Sequence, residues 1–506
     1  MSTRKKITSG FSWNTLTVVL QVVIQLIYTG VLARLLLPGD FALMGVVLSI
    51  MGFAEIFSQV GIGPAIIQRK EVHAQHFSGA FYTAVLLGVA FTGLFCLLAP
   101  FLGELYQMPD LIPIIRVVST SFIISALGVV PRSLMIRELA FKKFFIAGII
   151  SIVGGNLIVG LLLAWSGFGV WAYVWALFAQ NTLMTLAYWW LHPVRMPLSW
   201  KWSYTRELIR YGAGSTLFNA LNYAATKVDV ALTPIFSARV PDTAPDEQLR
   251  NAGLYERSAY VVSLPITIMG KLSDNVMFSG MSAMQNETER LKKSVIIAIR
   301  FLSIAIIPSV AFAACFSSEL IGIYLGANYA EAVPVLQILL AGVIFRTLSR
   351  IADSLLRARD ATFSGSGVKA VYLLLMVAGV VIAAPFGMEW IACAISFTTA
   401  IHFYMSMVLT RRLLGASLRG QCKAMLPGWI AAAALLAVSL PLAWLMRHLE
   451  WPGLMVLLIG ASASFFTVLT LFTAAPFLLG KGEMNLVRFL PARLRNNALF
   501  RRLENP

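Results

Sequence analysis

Polar side chains recur at helical spacing within two long apolar stretches of the sequence. The first series is Asn14, Val18, Gln21, Gln25 and Tyr28, and the second is Ser215, Asn219, Asn222, Thr226 and Asp229; nine of these ten positions are polar or Tyr, and Val18 is the exception. Both series advance in steps of four and three residues, which places all the side chains of a series on one helix face. Such a face either lines a water-filled cavity or forms hydrogen bonds between neighbouring helices. Because the row is long and recurs, a cavity is the preferred interpretation.

Ionisable side chains inside apolar runs are a second group of candidates, since charges are rare there and often mark functional sites. They are Arg34, Glu55, Lys227, Asp229, Glu256, Arg257, Lys271, Asp274 and Arg300. Glu55, Lys227 and Lys271 are expected to face a cavity, with a buried structural ion pair as the alternative. For Arg34 the alternative is a side chain that extends to the membrane surface. Asp274 and Arg300 are predicted to lie near that surface.

The sequence lacks the residue groupings that catalysis requires. It holds no evident nucleophile–base set, paired catalytic carboxylates or metal-ligand cluster, and no phosphate-binding loop of the type that serves ATP hydrolysis. The four cysteines, Cys96, Cys315, Cys393 and Cys422, are scattered and indicate neither a disulfide framework nor a metal site. We therefore predict a protein that is not an enzyme and that needs no cofactor.

The composition places these residues in a membrane. Of the 506 residues, 58% are hydrophobic and 12% are charged, and the formal net charge is +17. A mean hydropathy of +0.78 excludes a cytosolic enzyme, a disordered chain and a secreted disulfide scaffold. Fourteen apolar stretches are long enough to cross a bilayer as helices. They are residues 9–36, 41–66, 79–102, 113–132, 145–165, 170–191, 208–236, 252–280, 293–316, 332–350, 364–386, 388–410, 424–446 and 453–480.

The loops between these stretches predict the orientation. When the loops are assigned alternately to the two sides, most of the 40 Lys and Arg residues fall on the side of the N-terminus. Basic loops face the cytoplasm, so both termini are predicted to be cytoplasmic. This bias explains the net positive charge without a nucleic-acid partner. From Pro491 the tail mixes Arg with Leu and Phe, which fits either an amphipathic helix on anionic lipid or a plain tail.

The repeated polar rows divide the chain into two similar halves. The predicted fold is an all-α membrane protein of about 14 transmembrane helices, with two pseudo-symmetric six-helix lobes and an extra C-terminal helix pair. The predicted divisions are residues 1–200 for the N-lobe, 201–415 for the C-lobe, 416–480 for the accessory spans and 481–506 for a basic cytoplasmic tail. Repeats of this kind are one design of transporters, in which substrate binds between the halves.

Four segments together resemble a known family. VLARLLLPGDFALMGVVLSIMGFAEIFSQVGIGPAIIQRKE (31–71) is similar to a signature of polysaccharide exporters, and PRSLMIRELAFKK (131–143) resembles their loop after the fourth span. GLYERSAYVVSLPITI (253–268) and LGANYAEAVPVLQIL (325–339) resemble elements of their eighth and tenth spans. The chain thus resembles the oligosaccharide flippases, nearest the colanic-acid-exporter type, of the multidrug/oligosaccharidyl-lipid/polysaccharide exporter superfamily. Glu256 beside Arg257 departs from the small or polar residues more usual there.

The resemblance implies a V-shaped protein of two lobes. Such a protein moves a sugar repeat on an undecaprenyl-diphosphate-type carrier from the inner to the outer leaflet by alternating access. The substrate cavity is expected to include Asn14, Gln21, Gln25, Tyr28, Asn219, Asn222, Thr226, Lys227 and Lys271, with the lysines binding the diphosphate. The gating or ion-coupling residues are expected to be Arg34, Glu55, Asp229, Glu256 and Arg257. Of these, Glu55 or Asp229 would carry the coupled proton or cation.

The implied partners are the lipid-linked oligosaccharide, the lipid bilayer and a polysaccharide polymerase. The protein is expected to be a monomer in the bacterial cytoplasmic (inner) membrane. Alternatives from the same superfamily are a multidrug/cation antiporter and a lipid II flippase; from a different class, a membrane glycosyltransferase or polymerase. The final helix pair and the lysines within spans favour an anionic lipid-linked substrate over a cationic drug. The short outer loop near 237–251 disfavours a glycosyltransferase.

Overall fold

The computed structural model of the chain describes residues 20–59, 61–68, 72–197, 202–237, 244–359 and 361–475. Within these ranges the side chains of some helical residues, 267–280 among them, fall outside the description. The described residues form helices joined by short connections, and no β-strand occurs among them. The prediction of an all-α protein is therefore confirmed.

The first compact unit comprises Met1–Arg257 together with Met376–Met388. Its described helices begin with α1 (Leu20–Leu35), α2 (Pro38–Gln59), α3 (Ile62–Gln68), α4 (Ala74–Tyr106), α5 (Leu111–Ser119), α6 (Ser121–Arg137) and α7 (Phe141–Ile152). A π-helical stretch (Val153–Gly160) then leads into α8 (Leu161–Trp165), α9 (Val170–Leu191) and α10 (Trp202–Ser237). Helix α10 belongs to this unit because it packs along α2, α3 and α4.

The second compact unit comprises Ser258–Leu375 and Glu389–Pro506. Helix α11 (Pro245–Ala283) passes from the first unit into the second. The following elements along the chain are α12 (Thr288–Cys315), α13 (Ser317–Tyr324), a 3₁₀ turn (Ala327–Ala332), α14 (Val333–Ala358), α15 (Thr362–Ala383), a 3₁₀ turn (Ala384–Phe386), α16 (Met388–Leu414), α17 (Leu418–His448) and α18 (Gly453–Ala474). Of these, the second half of α15 from Met376 and the turn Ala384–Phe386 belong to the first unit. The pair α17–α18, predicted to be accessory, packs on α12 and α13. The predicted lobe divisions at residues 200 and 415 were based on repetition in the sequence, whereas the compact units are defined by packing. The predicted divisions therefore stay predictions.

Ten of the described helical segments are long and apolar enough to cross a membrane. The other four predicted spans lie on α1, α9, α10 and α11, so the described part of each apolar stretch is mainly helical. The second stretch, 41–66, covers both α2 and α3. α1 is described only from Leu20, and α10 and α11 carry most of the in-span charges discussed above. The chain is therefore a multi-pass membrane protein, whereas the count of fourteen spans and the orientation of the termini stay predictions.

Several helices extend beyond the apolar stretches that predicted them. Helix α4 covers Ala74–Tyr106 where the apolar run is 79–102, and α17 covers Leu418–His448 where it is 424–446. Backbone hydrogen bonding continues into the polar ends of a helix, where hydropathy carries no signal. The fourth predicted span is divided into α5 and α6 at Thr120, and the fifth contains the π-helical stretch.

Helix boundaries are set by local capping and glycine. Helix α17 begins after Ser417, whose hydroxyl accepts a hydrogen bond from the backbone N–H of Gly420 at 3.1 Å. Gly415, just before this cap, has φ +65°, a left-handed conformation that suits glycine. The end of α16 and the start of α17 are thus fixed by short-range interactions.

Close contacts between helices depend on glycine where a side chain would collide with backbone. A Cβ added to Gly253 of α11 would overlap the carbonyl oxygen of Pro38, at the start of α2. A Cβ on Gly428 of α17 would overlap the carbonyl oxygen of Ser303 in α12. Small residues allow this approach in membrane proteins, where packing rather than a hydrophobic gradient drives helix association.

An ion pair joins α17 to α13 in the second unit. Arg447 donates through Nε and Nη2 to the two carboxylate oxygens of Glu319, each at 2.7 Å, and Nη2 also donates to the carbonyl oxygen of Cys315. Glu319 lies on α13, a short helix between two spans. Burial is the largest single influence and by itself would raise the pKa of Glu319. The hydrogen bonds from Arg447, Ser318 and the Glu319 backbone, together with the charge of Arg447, outweigh burial and hold the pKa of that carboxyl below its usual value.

Replacing Gly253 with alanine is expected to destabilise the protein by about 1–3 kcal/mol, because α11 must move away from the backbone of α2. Gly93→Ala on α4 is the matched control. A Cβ at Gly93 meets nothing within 4 Å, so this change is expected to be neutral or to stabilise by up to about 1 kcal/mol. Unfolding in detergent, followed by helical circular dichroism, compares the two; equal stabilities would contradict the predicted contact.

Glu319→Gln is expected to lower the free energy of unfolding at neutral pH by about 1 kcal/mol. The effect is small because water and salt screen the charge of the exposed Arg447. The pKa of Glu319 is lowered in the folded state. Its contribution is therefore present in full above the ordinary pKa of glutamate and is lost as the pH falls through the lowered value. The difference between variant and wild type should shrink over that acidic range. Glu287→Gln, in an exposed pair with Arg290, serves as the control and should show little effect at any pH.

Candidate functional site

Arg257 is the centre of a buried cluster in the first unit. The residue is 1% exposed, its Nε donates to Oε2 of Glu256, and its guanidinium carbon lies 4.0 Å from the centre of the Phe41 ring. The carboxylate balances the charge, while the ring face provides a cation–π contact. We call Arg257, Glu256, Phe41, Tyr255 and Asp229 the Arg257 cluster.

An aromatic series extends from this cluster to α1. The ring of Phe41 lies 6.2 Å from that of Tyr173 on α9, and Tyr173 lies 6.2 Å from Tyr28 on α1 in an edge-to-face arrangement. Tyr28 is buried and within electrostatic reach of Arg257. Its hydroxyl has no hydrogen-bond partner among the described residues. A cavity-lining role was predicted for Tyr28, and its hydroxyl lies within the packed helices.

Asp229 of α10 is a buried carboxylate that is incompletely hydrogen-bonded. It is 4% exposed, and its Oδ2 accepts a hydrogen bond from the hydroxyl of Tyr255 on α11 at 3.3 Å. Its Oδ1 is buried without a hydrogen-bond partner in the described part of the chain. A buried carboxylate oxygen without a donor is energetically unfavourable when charged. The predicted role of Asp229 in gating or ion coupling stays a prediction.

Two glycines of α2 allow polar side chains to pack against that helix. A Cβ on Gly45 would lie 2.5 Å from Cγ of Glu256, and one on Gly52 would overlap the hydroxyl of Tyr223. That hydroxyl donates to the carbonyl oxygen of Leu48 at 3.0 Å. The glycines are seven residues apart and so share one face of α2. Through this face, α2 contacts both α10 and α11.

The polar row of α1 packs against the π-helical stretch of residues 153–160. Asn156 donates through Nδ2 to Oε1 of Gln25 at 3.2 Å, and Nε2 of Gln25 donates to Thr29 at 3.4 Å. Gln21 lies close to Gly148 of α7. Gln21 and Gln25 are half-buried and Asn156 is buried. The π-helical stretch is eight residues long, so it offsets the side-chain register of the span on either side of it.

Glu55 lies apart from the Arg257 cluster. It is half-buried one turn before the end of α2, where Nε2 of Gln59 donates to Oε1 at 2.9 Å. Arg132 and Tyr223 lie within its electrostatic reach. Fourteen residues of α2 separate Glu55 from Phe41, about 21 Å along the helix axis. Glu55 therefore lies far along α2 from the Arg257 cluster. The predicted gating or ion-coupling residues do not all belong to one site.

The remaining predicted residues are placed individually. Asn219 and Lys227 of α10 are exposed, whereas Asn222 and Thr226 are half-buried, and the hydroxyl of Thr226 donates to the carbonyl oxygen of Tyr223. Arg34 is exposed on α1. Asn14 and the side chain of Lys271 lie outside the described residues. The cavity and gating roles of all these residues stay predictions.

Sequence reasoning missed several residues that complete these contacts. They are Phe41, Asn156, Tyr173, Tyr223 and Tyr255. Asn156 is an amide within a predicted span, and Tyr223 lies one position after Asn222 in the polar row of α10, so both had a signal. The other three aromatic residues resemble ordinary apolar residues of a span until the helices are packed together.

The family follows from comparison with known proteins. Residues 31–334 match the family described as polysaccharide biosynthesis protein, and the chain belongs to that family. It is 25% identical over 434 residues to the lipopolysaccharide biosynthesis protein WzxC of Escherichia coli, covering 83% of this chain and 84% of the relative. It is 21% identical over 482 residues to the teichuronic acid biosynthesis protein TuaB of Bacillus subtilis, covering 94% of this chain and 96% of that relative. It is 22% identical to the succinoglycan biosynthesis transport protein ExoT of Rhizobium meliloti, covering 66% of each chain.

Solved structures with the same fold include known transporters. The lipid II flippase MurJ, in an inward closed conformation, superposes with a TM-score of 0.71 at 12% identity, covering 90% of this chain and 98% of that one. An inward-facing multidrug resistance MATE family transporter of the MOP superfamily gives a TM-score of 0.64 at 16% identity, covering 78% and 95%. The chain therefore has the fold of the multidrug/oligosaccharidyl-lipid/polysaccharide exporter superfamily.

Arg257→Met is expected to destabilise the protein by about 3–5 kcal/mol, because it leaves the carboxylate of Glu256 half-buried and uncompensated. The double variant Glu256→Gln/Arg257→Met should recover a large part of that loss, since both charges are then absent. Equilibrium unfolding of the two single variants and the double variant measures the interaction energy. The same set of variants for Glu287 and Arg290, whose side chains are both exposed, is the control. Its interaction energy should be less than about 1 kcal/mol. A double variant no more stable than Arg257→Met would contradict the pairing.

Proposed function

We propose that this protein is a flippase for a lipid-linked oligosaccharide used in surface polysaccharide synthesis. It would move a sugar repeat on an undecaprenyl-diphosphate-type carrier from the inner to the outer leaflet by alternating access. The observation that carries the proposal is the match of residues 31–334 to the polysaccharide biosynthesis family in a chain with a transporter fold. Its relatives WzxC, TuaB and ExoT are named for lipopolysaccharide, teichuronic acid and succinoglycan biosynthesis.

The polar rows of α1 and α10 suit such a substrate. Sugar hydroxyls and a diphosphate cannot cross about 30 Å of hydrocarbon without polar contacts, whereas a prenyl tail is stable in lipid. Amides such as Gln21 and Asn222, both half-buried, can accept from and donate to sugar hydroxyls. Lys227, exposed on α10, offers an ammonium group to phosphate oxygens, and Lys271 is proposed to act with it.

The Arg257 cluster is proposed as a gate. It contains side chains from α2, α10 and α11, so separating these helices would break the contacts of Arg257 with Phe41 and of Tyr255 with Asp229. Interactions that exist in one state and not in another define a switch between two conformations. The incompletely hydrogen-bonded Asp229 is a candidate carrier of a coupled proton or cation, and Glu55 is a second candidate. Arg34 is proposed to act at the outer end of the same gate.

The setting of this activity is also a proposal. The protein would act as a monomer in the cytoplasmic membrane of a bacterium, with both termini cytoplasmic, and would deliver its product to a polysaccharide polymerase. A multidrug/cation antiporter and a lipid II flippase are the alternatives, because both occur on this fold. Transport assays with the three substrates side by side distinguish them.

Purified protein in proteoliposomes is expected to translocate an undecaprenyl-diphosphate-linked oligosaccharide, measured by access of an added glycosidase to the sugar. Lys227→Ala and Lys271→Ala should each reduce the rate about tenfold or more, because each removes a charge-assisted hydrogen bond to the diphosphate. Lys292→Ala is the matched control, since this lysine pairs with Glu289 on α12 and is not part of the proposed cavity.

Two results would contradict the proposal at different levels. Undiminished transport in both lysine variants would remove the assignment of these cations to the diphosphate, while leaving the activity intact. Translocation of lipid II or efflux of a cationic drug, without translocation of the oligosaccharide lipid, would assign the protein to another branch of the superfamily.

A further inference from the structure

A row of four charged residues lies along one face of α14 in the second unit. Arg346, Arg350, Asp353 and Arg357 follow one another in steps of four, three and four residues, which places them on one side of the helix. Each of the four is half-buried, whereas every other residue from 347 to 358 is buried. Within the described structure, this face is therefore the accessible side of that part of α14. We call these four residues the α14 row.

The α14 row begins deep in the helix. Arg346 lies twelve residues before Ala358, where α14 ends, which is about 18 Å along the axis. Helix α14 belongs to a segment that is long and apolar enough to cross a membrane, whose hydrocarbon is about 30 Å thick. An arginine can extend its charge toward a membrane surface, but its side chain is much shorter than that distance. Because hydrocarbon beside these charges would be costly, the accessible face of the row indicates a water-filled cleft.

Lys369 of α15 provides a counter-charge to the carboxylate of the row. Its Nζ donates to Oδ2 of Asp353 at 2.9 Å, and Lys369 is 6% exposed. Asp353 lies three residues after Arg350 and four before Arg357, so on its own helix it is close enough to neutralise either arginine. The buried ammonium group binds this carboxylate from the neighbouring helix. The three arginines, Lys369 and Asp353 together then carry a net charge of +3.

The end of the row lies at the start of α12. Arg359 donates from Nη2 to the hydroxyl oxygen of Thr288 at 2.8 Å, and α12 and α14 pack along each other. The connection before α12 and the connection after α14 are both predicted to be cytoplasmic. The row therefore extends from the predicted cytoplasmic end of α14 toward the middle of the span.

Guanidinium groups on one helix face suit a phosphate ligand. Arginine forms paired, charge-assisted hydrogen bonds to phosphate oxygens. Arg346 and Arg350, four residues apart, are neighbours on the helix surface and can contact one diphosphate together. A phospholipid of the bilayer keeps its phosphate at the membrane surface, near Arg357. A row that extends about 18 Å inward suits instead a lipid phosphate that moves through the membrane.

We propose that the α14 row binds the diphosphate of the translocated lipid on its path from the cytoplasmic side, with Arg346 and Arg350 as its ligands. Lys369 is a positioning residue, because it holds Asp353 away from these arginines. The proposal rests on the proposed function and adds to it a set of cations different from the lysines of α10 and α11. Successive arginines along the row supply counter-charge to the diphosphate as it moves inward.

The direct test is binding of undecaprenyl diphosphate to the purified protein, measured by native mass spectrometry in detergent. Arg346→Gln and Arg350→Gln should each weaken binding about tenfold or more, because each removes charge-assisted hydrogen bonds. Arg411→Gln, at an exposed arginine in the last turn of α16, is the matched control and should bind as wild type does. Undecaprenol, which lacks phosphate, should bind equally to all of these proteins. Undiminished binding of undecaprenyl diphosphate by both row variants would overturn the proposal.

Lysine variants keep the test valid where a glutamine variant fails to fold, which thermal unfolding detects. Arg350→Lys retains the charge but loses the paired geometry of a guanidinium. It should therefore bind undecaprenyl diphosphate more weakly than wild type and more tightly than Arg350→Gln. Wild-type affinity in both Arg350→Lys and Arg346→Lys would contradict the assignment of these arginines as ligands.

The positioning role of Lys369 has its own test. Lys369→Met should weaken the binding of undecaprenyl diphosphate, because Asp353 then neutralises an arginine of its own helix. The double variant Lys369→Met/Asp353→Asn removes both charges of the pair and should recover binding. Binding of undecaprenol should be the same in both variants, which a loss of folding would not allow. A double variant that binds undecaprenyl diphosphate no more tightly than Lys369→Met would contradict the positioning role.

Two comparisons separate the possible ligands and the two proposals. Phosphatidylglycerol that binds as tightly as undecaprenyl diphosphate, with the same losses in the row variants, would assign the row to a bilayer lipid and overturn the proposal. Wild-type protein that binds undecaprenyl diphosphate through the row, but does not translocate the oligosaccharide lipid in proteoliposomes, would contradict the proposed function alone. Translocation by wild type, with row variants that bind undecaprenyl diphosphate as tightly as wild type, would contradict the α14 site alone.

Discussion

The positive charge of Arg257 is the constraint on which the described part of the first unit most depends. A guanidinium that is 1% exposed cannot be stabilised by water, so its compensation must come from neighbouring helices. Glu256 provides the opposite charge and Phe41 provides a ring face. These partners require α11 to lie against the start of α2, and the approach of Gly253 to the backbone of Pro38 satisfies that requirement. Charge compensation and close packing therefore specify the same arrangement of helices.

The buried polar groups of the two units differ in what they allow. In the first unit, an arginine and a glutamate adjacent in sequence neutralise each other, and Asp229 is left with one oxygen that lacks a donor among the described residues. In the second unit, Lys369 of α15 and Asp353 of α14 form a buried pair of opposite charge that joins two helices. A compensated pair stabilises one arrangement of helices, whereas a buried carboxylate oxygen without a donor does not gain that stabilisation.

The candidate site was partly predictable from the sequence. Asp229, Glu256 and Arg257 were predicted together, because charges in apolar runs are expensive, and all three belong to the Arg257 cluster. Glu55 was placed with them by the same reasoning, but it lies about 21 Å away along α2. Helical periodicity specifies which side chains share a face, but not which neighbouring helix that face meets. Phe41, Tyr173 and Tyr255 were missed because an aromatic residue in a span carries no signal of the charge or hydroxyl beside it.

The sequence alone determined the class of fold, since a mean hydropathy of +0.78 with long uninterrupted apolar runs permits only a bundle of membrane helices. The polar rows and the in-span charges, and with them the expectation of a polar transport path, also follow from local sequence. Only the tertiary structure decided that α10 packs on α2, that α2 presents Gly45 and Gly52 to its neighbours, and that Lys369 meets Asp353. The physical reason is that these contacts join residues far apart in the chain. Their energies depend on burial and distance, which no single stretch of sequence contains.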